Sequence, residues 1–217
     1  MKIKHIAHSC FYIEADGKRI VTDPFDSSLG FSMPEIYADI VTSSHGHFDH
    51  NYIEGIKGNP ESVTTSGDHN VKGVDIVGVQ VFHDKEKGAI RGINNVYVFK
   101  GLEGINVCHM GDLGHILSFD DLQAIGPVDV LMIPVGGYFT IEPDEAVYVT
   151  KQINPKIVIP MHYSSEETKK HKEYNLPIKP VDEFLNLIGD AQFMDELVIS
   201  KGVLPEKMQV VVLKEQV

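Results

Sequence analysis

The segment Ser43-Ser44-His45-Gly46-His47-Phe48-Asp49-His50 places three imidazoles and a carboxylate within six residues. Imidazole nitrogen and carboxylate oxygen are donors that zinc and its neighbouring divalent metals accept. Side chains two apart on an extended segment point the same way, so His45 and His47 can converge on one cation. Asp49 and His50, where the chain is expected to turn into a helix, can then address a second. A solvated histidine-rich loop would share this composition, but the His-x-His-x-Asp-His spacing favours two half-sites.

A catalytic zinc takes about four ligands and leaves one position to water or substrate, so roughly three more protein ligands are expected downstream. Three segments offer them. His83 ends the alternating run Val79-Gln80-Val81-Phe82, Asp112 lies between glycines in Met110-Gly111-Asp112-Leu113-Gly114, and His162 closes Ile157-Val158-Ile159-Pro160-Met161. Each follows a strand-like run, so its side chain can emerge at a sheet rim. Glycine on either side of Asp112 lets the backbone turn tightly beside a metal. Any one of the three could be an ordinary rim residue, but together with the first motif they make a set.

The elements that must position these residues change rhythm along the chain. Short β-type runs are expected at 3–7, 10–14, 19–22, 40–43, 62–65, 74–77, 79–82 and 96–99, with Ala15-Asp16-Gly17-Lys18 as a hairpin turn. Strands at 105–108, 128–134 and 156–160 then alternate with helices at 118–125, 142–153 and 180–188, before last strands near 197–200 and 209–213. This pattern predicts a mixed α/β fold in layers. No internal repeat or linker divides the chain, so residues 1–217 are expected to form a single domain.

Eleven histidines in 217 residues are about double the usual share, and they cluster on these motifs. The formal charge of −12 disfavours a long nucleic acid or an anionic membrane surface as partner and leaves a small-molecule substrate. No apolar run is long enough to span a membrane, and the N-terminus lacks a signal peptide's apolar stretch, so a cytoplasmic location is expected. Cys10 and Cys108 cannot form a disulfide scaffold or a four-sulfur site and are expected to be small buried side chains. The chain's size also suits a homo-oligomer.

The sequence resembles the metallo-β-lactamase fold superfamily, and more narrowly its compact stand-alone metal-dependent hydrolases, some related to ascorbate-6-phosphate lactonase. The resemblance rests on His8-Ser9, Thr22-Asp23-Pro24-Phe25, the His-x-His-x-Asp-His loop, His83, His109-Met110-Gly111-Asp112, the stretch from Ile133 to Thr140, and Pro160-Met161-His162-Tyr163. It implies an αββα sandwich with the site at one edge. It also implies one metal on His45, His47 and His83, a second on Asp49, His50 and His162, and Asp112 bridging them. Ser44 stands where many members have Thr, a departure expected to affect no ligand. His47 rather than Glu disfavours the flavodiiron branch.

Two divalent cations, zinc first and manganese, iron or nickel as alternatives, would generate a bridging hydroxide that cleaves a small ester, lactone or phosphodiester. Asp49 and Asp112 could orient the water. Neither Gly-x-Ser-x-Gly nor Ser-x-x-Lys occurs, so a covalent route has no motif. Asp23 is a candidate acceptor for a ligand imidazole's second N–H, or a turn-initiating Asp before Pro24. His8, His109, Tyr138 and Tyr163 are candidates for substrate contact or packing. His5, His69, His115 and His171 are expected at the surface or rim. Residues 26–38, with Leu29, Phe31 and Met33, are either a mobile cover over the substrate or a loop pinned into the core or a neighbouring subunit. The competing functions are a mononuclear iron oxygenase of the persulfide dioxygenase kind and a non-catalytic metal-binding module.

Overall fold

β-Branched and aromatic residues of the N-terminal strands alternate between two apolar clusters, and that alternation sets the layering. The computed structural model describes residues 1–171 and 173–217. Its elements are β1 (Lys2–Ala7), β2 (Cys10–Ala15), β3 (Lys18–Thr22), β4 (Ile40–Thr42), β5 (Glu61–Val63), β6 (Gly67–Val71), β7 (Val74–Phe82), β8 (Ile93–Leu102), β9 (Ile105–His109), α1 (Phe119–Ile125), β10 (Val130–Pro134), α2 (Pro143–Ile153), β11 (Ile157–Met161), α3 (Val181–Ile188), β12 (Ala191–Met194), β13 (Leu197–Val198) and β14 (Gln209–Leu213). Two sheets result, a six-stranded one in the order β13-β1-β2-β3-β4-β5 and an eight-stranded one in the order β12-β14-β11-β10-β9-β8-β7-β6. The mixed α/β reading therefore holds.

Ile3, Phe11, Ile13, Ile20 and Ile40 face the larger cluster, which they share with β7 to β11. Each such buried side chain contributes about 1.5–3 kcal/mol relative to exposure. Ile6, Cys10, Val21 and Val41 face the opposite way, toward Phe25, Leu29 and Phe31. The segment 26–38 is thus pinned into the second cluster, where Phe31 packs on Phe25, His171 and Tyr174. Of the two readings of this segment, the loop pinned into the core holds and the mobile cover does not, since Leu29 and Phe31 are buried.

Strands β10 and β11 are buried along their whole length and pair in parallel, as expected of a sheet covered on both faces. Helix α1 starts at a reciprocal cap between Ser118 and Asp121, and α2 starts with Pro143 in its first turn. The two expected runs 74–77 and 79–82 are one strand, β7. Gly78 keeps it continuous, since a Cβ there would lie 2.7 Å from the Thr65 carbonyl oxygen. Strands β6 and β12 were not expected. The first is a polar edge strand, Gly67-Asp68-His69-Asn70-Val71, and the second follows α3 after two residues, so neither carries an apolar alternation.

Parallel pairing sets the location of the site. β3 and β4 run in parallel, as do β9, β10 and β11, while β7 and β9 flank β8 antiparallel to both. The carboxyl ends of β3, β4, β7, β9 and β11 therefore open on one rim. Asp23, the loop 45–50, His83, Asp112 and His162 follow those five ends.

Candidate metal centre

All seven predicted ligands meet at this rim. His83 Nε2 and His162 Nε2 each stand 3.2 Å from Asp112 Oδ2, and His50 Nε2 stands 3.3 Å from Asp112 Oδ1. His45 Nε2 lies 3.0 Å from His47 Nδ1 and 4.0 Å from Asp112 Oδ2. The donor atoms of His45, His47 and His83 converge as one group, and those of His8, Asp49, His50 and His162 as another. Around Asp49 the chain makes a turn closed by His50 N–H on the His47 carbonyl (3.0 Å), not the helix expected, and a single 3₁₀ turn follows at Ile53–Gly55.

Asp23 organises both halves. Its buried carboxylate accepts the Ser44 amide (2.8 Å), the Ser44 hydroxyl (2.6 Å) and His50 Nδ1–H (2.8 Å). Having donated its proton to Asp23, Ser44 Oγ accepts from His45 Nδ1–H at 2.9 Å. Asp23 thus fixes the tautomers of His45 and His50, and each presents a lone pair on Nε2. Ser44 is thus the link to His45, through a hydroxyl that Ser and Thr both carry.

With His50 neutral, the form a metal ligand takes, that arrangement leaves acceptors facing acceptors. His50 Nε2 and Asp112 Oδ1 are both buried without a hydrogen-bond partner, 3.3 Å apart. A cation between them would resolve the conflict, so this donor set fits divalent metal. Burial alone would raise the Asp112 carboxyl, but His162 and His50 hold it well below the usual range. Asp49 is likewise opposed by burial and brought low by His50 and His8. Burial, then the neighbouring His50, depresses His45 to about 3. Ionised carboxylates with a neutral imidazole are the forms that bind metal. His50 differs in the protein alone: burial opposes its charge, yet Asp112 and Asp49 push its pKa up.

Three comparisons with known proteins converge on one family. Residues 2–162 match the family model for the beta-lactamase superfamily domain. A UPF0173 metal-dependent hydrolase of Thermococcus kodakarensis is 31% identical, the alignment covering 88% of this chain and 93% of the relative. The chain belongs to the metallo-β-lactamase superfamily. Within it, the chain sits among the UPF0173 metal-dependent hydrolases. A superfamily structure from Thermotoga maritima is 41% identical with a TM-score of 0.79, covering 98% of this chain and 97% of that one. A metallo hydrolase of Ignicoccus hospitalis, 21% identical with a TM-score of 0.64 over 86% and 89% of the two chains, shares the fold.

The weaker candidates separate in this metallo-β-lactamase chain. His8 is in the site: its Nε2 lies 3.2 Å from Asp49 Oδ2, and its ring packs 4.1 Å from that of His162. His8 and His162 both have positive φ (57° and 54°), and the His162 amide donates to the His8 carbonyl at 2.9 Å. His109 is buried with Nε2 on the Ser9 carbonyl (2.8 Å), outside both groups of converging donors. Tyr163 is buried near His5 and lines a different cavity, and Tyr138 is an exposed turn residue beside Phe139. His5 is a correction: it is fully buried, stacked 4.5 Å from Phe11, with Nε2 on the His8 carbonyl.

Sequence reasoning missed Asn94 and Asn95. Asn94 Oδ1 accepts the Asp112 amide (2.9 Å) while its Nδ2 donates to the Met110 carbonyl (2.8 Å). Asn95 donates through backbone N and Nδ2 to the Ser44 carbonyl. The signal was two amides directly before the apolar run 96–99 of strand β8. Above the ligands opens a cavity of about 480 Å³, where Phe48, Arg91, Phe139 and Leu176 join His47, Asp49, His83 and Asp112.

Proposed function

We propose that the protein is a dinuclear hydrolase of a small-molecule ester, lactone or phosphodiester. The observation that carries this is Asp112, whose two carboxylate oxygens lie within 3.3 Å of imidazoles from both half-sites. His45, His47 and His83 would hold one cation, Asp49, His50 and His162 the other, with Asp112 shared. When bound, such a pair supplies a water acidified to near neutral pKa and a charge sink for the oxygen that becomes negative. Zinc is the first candidate, matching the candidate Zn-dependent hydrolase of Thermotoga maritima, and manganese, iron and nickel suit the same donors.

The chain's own residues then position and protect. Asp49 and Asp112 present ionised carboxylate oxygens that could orient the attacking water. His8, fixed by the Glu215 carboxylate on its amide (3.1 Å), holds Asp49 in place. Phe48, Phe139 and Leu176 form an apolar wall that limits water around the scissile bond. Cys10 and Cys108 are no rivals as nucleophiles, since both are buried and burial pushes their thiols up. The convergence of Asp49, His50 and His162 weighs against a one-metal iron oxygenase.

Among the described residues no helix is long and apolar enough to cross a membrane. The test is elemental analysis joined to turnover of bis(p-nitrophenyl) phosphate, p-nitrophenyl acetate and a γ-lactone. Two divalent metals per chain and hydrolysis lost in His47→Ala and Asp112→Ala are expected. Metal-free protein as isolated from metal-replete medium, one iron with oxygen uptake, or full turnover in both variants would overturn the reading.

A further inference from the structure

Arg91 is the one cationic side chain among the residues that line the cavity over the ligands. Its guanidinium lies over the Phe139 ring, 5.6 Å from the centroid. Among the described residues no carboxylate lies within 4.0 Å of that guanidinium, although the chain has 31 acidic residues against 19 basic ones. An unneutralised arginine in so acidic a protein has a planar fork of donors available to a ligand.

The backbone that carries Arg91 is built rather than loose. Asp84, directly after His83, is buried, and its carboxylate accepts four amides of the following turn. Oδ1 takes Glu86 N (2.8 Å) and Gly88 N (2.8 Å), while Oδ2 takes Ile90 N (3.0 Å) and Arg91 N (2.7 Å). The His83 amide in turn donates to the Gly92 carbonyl at 3.0 Å, closing the loop on itself. Gly114 lets the next segment pass, since a Cβ there would lie 2.2 Å from the Asp84 nitrogen. The loop is therefore anchored to a candidate ligand at one end and presents Arg91 to the cavity at the other. Preorganisation of this kind lowers the entropy cost of binding through Arg91.

We propose that Arg91 is a specificity residue that recognises a second, anionic group of the substrate, a carboxylate or phosphate separate from the bond that is cleaved. Phe139 and Phe48 supply the apolar surface between that group and the scissile bond. The proposal rests on the hydrolase reading above for the position of the bond, and it adds the chemical class of substrate. A guanidinium forms paired, charge-assisted hydrogen bonds to either anion.

The test uses the zinc-loaded protein and two pairs of compounds that differ only in a free carboxylate. Monophenyl glutarate and its methyl ester share one aryl ester bond and report kcat/KM. Glutaranilic acid and its methyl ester report binding by calorimetry. The wild type is expected to prefer the acid in both pairs by about tenfold. In Arg91→Gln the preference should fall to within about twofold. Arg91→Lys should retain part of it, because charge survives without the planar fork. An equal preference in wild type and Arg91→Gln, or a wild type that prefers neither or binds neither, overturns the proposal. Loss of the binding preference in Arg91→Gln without ester hydrolysis in any form would uphold Arg91 and overturn the hydrolase reading. Hydrolysis of both esters at equal rates, unaffected by Arg91→Gln, would do the reverse.

Discussion

The Asp23 carboxylate accepts the Nδ1–H of His50 at 2.8 Å, and neither side chain is exposed to solvent. Twenty-seven residues separate them in the chain, yet this contact decides which nitrogen of His50 faces Asp112. Through Ser44 the same carboxylate sets His45.

Replacing Asp23 should consequently weaken both half-sites. Asp23→Ala is expected to lower affinity for zinc by about 10- to 100-fold, the usual range for lost orienting partners of ligand imidazoles. Ser44→Ala, which breaks only the path to His45, should cost less. Competition with a chromophoric chelator measures both, and a zinc affinity equal to wild type in Asp23→Ala would remove Asp23 from this role.

Metal should also stabilise the fold, because the ligands come from the loops after four different strands. At a free metal concentration about 100 times Kd, linkage contributes about 2.7 kcal/mol. For a chain of this size that corresponds to a rise of about 5–10 °C in Tm. Calorimetry before and after dialysis against a chelator reads the difference. A Tm that does not move would mean that the rim residues bind metal weakly or not at all.

The ligands were legible in the sequence because each follows a β-type run that an alternating or continuous apolar pattern reveals. Spacing exposed His45, His47, Asp49 and His50, and the strand ends exposed His83, Asp112 and His162. What holds them was less visible. Asp23 is a candidate imidazole acceptor by its place at a strand end, but its link through Ser44 to His45 is a tertiary contact that no local pattern encodes, and Asn94 and Asn95 stand on a neighbouring strand as two polar residues directly before an apolar run. His5 is expected at the surface or rim, but β1 is an interior strand of its sheet and His5 is stacked on Phe11. The polar edge strand β6 gave no apolar alternation to detect.

Acid should destabilise the protein in part through Asp39, well away from the metal ligands. The Arg19 guanidinium hydrogen-bonds Asp39 through Nε (3.1 Å) and Nη2 (3.0 Å), and the Arg19 amide adds a third bond (2.9 Å). These hold the carboxyl at about 2, below its ordinary value. A carboxyl depressed in the folded state contributes stability that is complete above the unfolded pKa and is lost as pH falls through the folded one. The window is therefore about pH 4 down to about 2. The gap in urea midpoint between wild type and Asp39→Asn should be widest near pH 6 and shrink across that window. A gap that stays constant to pH 2 would show that Asp39 is not the group involved.

Gly111 links backbone geometry most directly to the chemistry. Its φ is +54°, and a Cβ there would lie 2.3 Å from Asn94 Oδ1 and 2.5 Å from Ser44 Cβ. Asn94 Oδ1 is the atom that accepts the Asp112 amide, and Ser44 joins Asp23 to His45, so Gly111→Ala crowds two supports of the centre at once. Gly17, in the hairpin between β2 and β3, provides the control: its φ is +68° but nothing lies within 4 Å of an added Cβ. Gly17→Ala should cost only the left-handed strain, about 1 kcal/mol. Gly111→Ala should add overpacking to that strain, for about 3 kcal/mol or more in total, and should lower zinc affinity as well. Urea midpoints and chelator competition on the two variants separate the effects. Equal destabilisation of both, with zinc affinity unchanged in Gly111→Ala, would mean that the Asn94 and Ser44 side chains yield without disturbing Asp112.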